Sequence, residues 1–81
     1  MANVKINVIG ANMTAVHLPK GTVLFSYETP VAAYVSGRGW VRTAEKFSKT
    51  TSKHINQWLG GVTNVDIIPQ SEIESLTEVV V

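Results

Sequence analysis

The run TVLFSYETPVAAYVSGRGWVRT, Thr22 to Thr43, restricts the fold more than any other part of the chain. β-Branched and aromatic residues fill its apolar segments, and these residue types suit a pleated, half-buried surface. Alternation over Thr22 to Glu28 puts Val23, Phe25 and Tyr27 on one face and Leu24 and Ser26 on the other. Pro30 cannot donate to a strand ladder, so it marks an edge, a bulge or the first residue of the next strand. Val31 to Val35 continues as strand, Ser36-Gly37-Arg38-Gly39 turns, and Trp40 to Thr43 returns, which predicts a hairpin.

The flanks extend this pattern. Val4, Ile6 and Val8 alternate with Lys5, Asn7 and Ile9 as one strand, which Gly10-Ala11-Asn12 breaks. Ala15 to Leu18 reads as a second short strand before the Pro19-Lys20-Gly21 turn. Beyond the hairpin the period changes. Ile55, Trp58 and Leu59 share one helical face with Thr51 a turn earlier, Lys49, Lys53, Asn56 and Gln57 lie opposite, and His54 sits on the flank. Ser48, Thr50, Thr51 or Ser52 can cap this helix, and Gly60 supplies its left-handed stop. Val62 to Ile68 reads as strand, Pro69 closes it, and Ser71 with Glu74 forms a capping-box pair opening a short helix that carries Ile73 and Leu76. Val79, Val80 and Val81 form an apolar tail. The expected fold is α+β, a single compact domain over residues 1–81. An antiparallel sheet of four to five strands carries one main amphipathic helix at about 50–59, and a short C-terminal helix follows.

Composition excludes several kinds of function. With no cysteine there is neither a disulfide framework nor a thiolate metal site. The N-terminus lacks the charged start and long apolar core of a signal peptide, and no apolar run approaches the ~20 residues needed to cross a bilayer, so a cytoplasmic protein without a membrane role is expected. A chain this short buries only about 60% of its unfolded surface, which makes homo-oligomerisation one route to added stability. His17 and His54 each stand without a second ligand at i+3 or i+4, so no metal and no cofactor is expected. Glu72 and Glu74 diverge on a helix, no strand-turn-helix elbow surrounds a serine, and no glycine-rich loop matches a phosphate cradle. The chain reads as non-enzymatic.

The net charge of +1 hides an asymmetry: five of the seven basic residues lie between Arg38 and Lys53, and Asp66, Glu72, Glu74 and Glu78 follow. Folding can bring the two regions together as scattered surface pairs, or leave a basic face for an anionic partner. Arg38, Trp40, Arg42, Lys46, Phe47, Lys49 and Lys53 interleave basic and aromatic residues, the mixture that single-strand binders use for phosphate contacts and base stacking. By the period of two, Arg38, Trp40 and Arg42 share one strand face. The candidate nucleic-acid-binding residues are therefore Arg38, Arg42, Lys46, Lys49 and Lys53 for phosphates and Trp40 for stacking, although aromatic residues in so small a chain also serve as core. The alternative is a protein-interaction module acting through the proline-marked strand edge or the Val79–Val81 tail.

At FSYETPVAAY, Trp40-Val41-Arg42-Thr43 and KFSKTTSKHINQWL the chain resembles a family of small uncharacterised proteins common in tailed phages. The shared pattern is a Ser-Tyr-x-Thr-Pro-Val-Ala strand, an aromatic-containing return strand and a Thr-Thr-Ser-basic-His-Ile-Asn helix. It covers Ser26 to Leu59, roughly two fifths of the chain, with the first 20 residues and the acidic end outside it. The resemblance implies a phage-type origin and a compact domain, and it carries over no catalytic or binding residue. Small phage proteins often bind host proteins or nucleic acid, which suits both readings.

Overall fold

A computed structural model describes residues 5–79 of the chain, with side chains through residue 76. The predicted strand residue Val4 and the tail residues Val80 and Val81 lie outside the described residues. Six strands form one sheet: β1 (Lys5–Gly10), β2 (Met13–Leu18), β3 (Gly21–Ser26), β4 (Thr29–Val35), β5 (Gly39–Thr43) and β6 (Val65–Ile68). Helix α1 (Lys49–Leu59) lies between β5 and β6, and α2 (Gln70–Val79) follows. The strand order is that of the sequence, β1 to β6. The first five strands form an antiparallel meander, whereas β6 runs parallel to β5 and pairs Trp40 with Val65 and Thr43 with Ile68. The sheet is therefore mixed and wider than four to five antiparallel strands. Parallel neighbours need a crossover, and α1 supplies it.

Residues directly opposite in the ladder share a face. Val23, Ala33 and Val41 line up across β3, β4 and β5, and Ile73 and Leu76 of α2 close over them with Ile68. On the other face Leu24 and Ala32 stand opposite each other and meet Met13, Ile55 and Leu59 beneath α1. The two helices thus cover opposite faces of the central strands, which explains why Val31, Ala32 and Ala33 are consecutively buried. Each fully buried aliphatic side chain contributes about 1.5–3 kcal/mol.

Pro30 takes the bulge reading. The β3–β4 register shifts between Leu24 and Phe25, where Ala32 and then Pro30 stand opposite, leaving Val31 as the extra residue. The Pro30 carbonyl accepts a 2.8 Å hydrogen bond from Gln70 Nε2 at the start of α2. Because β4 lies between β3 and β5, the proline marks no edge of the sheet, contrary to the protein-interaction reading. Tyr27 leaves strand alternation and occupies a turn with φ 58°, and its amide donates to the Asn12 carbonyl at 2.6 Å, joining two hairpin ends. Helix α2 begins at Gln70, so Ser71 lies in its first turn, and the Pro69 carbonyl accepts from the Glu72 and Ile73 amides.

Candidate functional site

The segment KFSKTTSKHINQWLGG builds α1 as its capping residues require. Of four possible caps the structure uses Ser48, whose extended backbone lets its hydroxyl accept the Thr51 amide at 3.1 Å. Gly60 ends the helix at φ 58°, with its amide on the Asn56 carbonyl. Ile55 and Leu59 are buried, Trp58 is half-buried, and Lys49, Lys53, Asn56 and Gln57 face outward as the helical wheel predicts.

His54 departs from its expected place on the flank: it is only 9% exposed. Its Nδ1 lies 2.8 Å from the Ser26 hydroxyl, which lies 3.1 Å from Thr51 Oγ1. Ser48 Oγ in turn donates to Thr51 Oγ1 at 3.2 Å. One assignment uses every hydroxyl proton. Ser48 donates to Thr51, Thr51 to Ser26, and Ser26 to a His54 ring that carries its proton on Nε2. This chain joins the cap of α1 to the end of β3. Ser26 is 2% exposed, so the serine–histidine pair forms a buried polar tie.

The predicted binding residues separate into two places. Lys46, Lys49 and Lys53 line one hollow of about 490 Å³ with Phe47, Ser48, Ser52 and Asn56. Arg38 and Trp40 line another of about 450 Å³, with residues Gly61 to Asn64 and Asp66, and the two linings share no residue. Arg38 precedes β5 in the turn and donates to Glu72 of α2 at 2.8 Å, so it does not share a strand face with Trp40 and Arg42. Basic middle and acidic end do meet there, as one exposed pair. Trp40 is half-buried, with the Tyr34 ring at 4.8 Å and the Trp58 ring edge-on at 5.3 Å, which makes it a packing residue between sheet and helix. Arg42 stands on the same face between Ala32 and Ile67 and is also half-buried.

The ring that accompanies the lysines is Phe47, 44% exposed and absent from the predicted contact set. Its exposure has a local cause. It occupies the position before the cap, where an apolar residue normally staples onto the fourth helical residue, and here that residue is Ser52. Without a staple partner, the ring stays part-exposed. Phe47 and Ser48 also border a smaller hollow of about 310 Å³, with Ser26, Tyr27, Thr29, Val31 and Thr51.

Other features are sparse among the described residues. No three His, Cys, Asp or Glu side chains are grouped as a metal site, and no helix is long and apolar enough to cross a membrane. His17 Nδ1 lies 3.0 Å from Thr22 Oγ1 on the neighbouring strand. No curated protein and no solved structure matches the chain. The model of a family of unknown function (DUF8033) matches residues 2–75. That match takes in residues 2–20 and most of the acidic end as well as the span of the Ser26–Leu59 pattern, and the chain belongs to this family.

Proposed function

We propose that this chain is a small, non-enzymatic phage-type protein of the host cytoplasm that binds single-stranded nucleic acid along the N-terminal half of α1. The observation that carries this reading is the hollow lined by Lys46, Lys49 and Lys53 together with Phe47, with no acidic residue in the lining. Lysines hold phosphates without regard to sequence, and an exposed ring stacks an unpaired base. The first turn of α1 contains no acidic residue, so its dipole adds to the positive potential there. Arg38 and Trp40 leave the contact set, because one is paired with Glu72 and the other is packed between Tyr34 and Trp58. The competing host-protein reading relied on Pro30 as an edge and on the Val79–Val81 tail. Pro30 is interior, and Val80 and Val81 are not described.

Anisotropy of a labelled single-stranded oligonucleotide, titrated with salt, tests the proposal. Three lysines engaging phosphates predict a log–log salt slope of about −2. The Lys49→Glu, Lys53→Glu double variant is expected to weaken binding at low salt by tenfold or more and to flatten that slope. No binding at low salt, or an unchanged double variant, overturns the proposal.

A further inference from the structure

The two edges of the sheet are built differently. β6 is four residues long, carries Asp66 and ends against Pro69, all devices that discourage a further strand. β1 is six residues long, every residue of it is exposed, and its only charge is Lys5. Ile6 and Val8 are 65% and 73% exposed. Ladder register places both on the α2 face, opposite Val16 and Thr14 of β2. Helix α2, however, packs on β4 and β5 and leaves this end of the sheet uncovered. The apolar alternation of β1 therefore serves no core within the described chain.

We infer that β1 is a dimerisation edge that pairs antiparallel with β1 of a second copy, about a two-fold axis at Asn7. Self-pairing is specified by the strand's own sequence. With Asn7 opposite its symmetry mate, Ile6 of each copy faces Val8 of the other on the α2 side, and the two Asn7 amides meet on the α1 side. Lys5 falls opposite Ile9, so no like charges confront each other. Shifting the register by one residue turns the apolar pair to the wrong face. The bulge at Ile9, between Val8 and Gly10, limits regular pairing to Ile6–Val8 of each copy, which keeps the contact short. A net charge of +1 per copy opposes association only weakly. Pairing of single short edges lies at the small end of specific interfaces, below about 1,200 Å², so the dimer is expected to depend on concentration.

Sedimentation equilibrium of the full chain, from roughly 10 µM to 1 mM, tests this. The expected weight-average mass rises from 8.8 kDa toward twice that value. Ile6→Lys with Val8→Lys is expected to hold the chain at monomer mass, because in the Asn7 register each new cation faces another. Ile6→Lys with Val8→Glu is expected to restore the dimer, since that register sets each new cation against a new anion. Two-fold registers centred on Ile6 or Val8 would instead oppose like charges. Far-UV circular dichroism confirms that both variants fold. Three outcomes overturn the proposal: a wild type monomeric throughout, which leaves the edge to a foreign strand; a dimer indifferent to the double-lysine variant; and a Lys/Glu variant that stays monomeric.

Discussion

The Ser26 hydroxyl lies 2.8 Å from Nδ1 of His54, joining residues 28 positions apart at the junction of β3 and α1. Both side chains are buried, so neither can exchange its partner for bulk water at low cost. Ser26→Ala leaves the imidazole nitrogen and the Thr51 hydroxyl without their shared partner. The expected loss is about 1–3 kcal/mol, read as a lower urea midpoint with an unchanged m-value. A wild-type midpoint in this variant would show that the tie contributes nothing.

Phe47 and Trp40 should respond in opposite ways to truncation. Phe47→Ala removes a ring that is 44% exposed, so stability should fall by about 1 kcal/mol at most while affinity for a single-stranded oligonucleotide falls by about 1–3 kcal/mol. Trp40→Ala removes the ring held between Tyr34 and Trp58, and about 3 kcal/mol of stability should go with it. Thermal denaturation and anisotropy, measured on both variants, separate the roles. A Trp40 variant that keeps its stability but loses binding would reverse the assignment.

Gly21 stands opposite Val35 in the β3–β4 ladder. A Cβ placed there would press on the Tyr34 carbonyl oxygen, closer than side-chain carbons approach backbone atoms. Backbone in mid-sheet cannot swing aside as a flexible side chain would. Gly21→Ala should therefore destabilise by at least about 2 kcal/mol, whereas Gly61→Ala, with open space around it, should cost far less. Comparing their melting temperatures tests the difference.

Much of the chain is legible locally. The hairpin across Ser36–Gly39, the helix ending at Gly60 and the outward stripe of Lys49, Lys53, Asn56 and Gln57 all follow from short-range periodicity and capping. Phe47 could have been placed in solvent by the same means, since Ser52 offers no apolar partner for a staple. Three features were out of reach of such reasoning. The parallel pairing of β6 with β5 joins segments separated by a whole helix and leaves no alternation signature of its own. The burial of His54 depends on Ser26 arriving from a distant strand. The alignment of Arg38 with Trp40 and Arg42 fails because the period of two applies only within a strand, and β5 starts at Gly39.

Residue order alone therefore places most strands, the Ser36–Gly39 turn and the Gly60 stop, because side-chain periodicity, proline's missing donor and glycine's access to positive φ act over a few neighbours. It also places the lysines of α1 on one stripe. Which basic residues stay together is settled by long-range packing. Lys46, Lys49 and Lys53 keep company with Phe47, while Arg38 is drawn to Glu72 and Trp40 is taken into the ring stack. Those outcomes depend on which faces the two helices cover, and that choice exists only once the six strands have assembled.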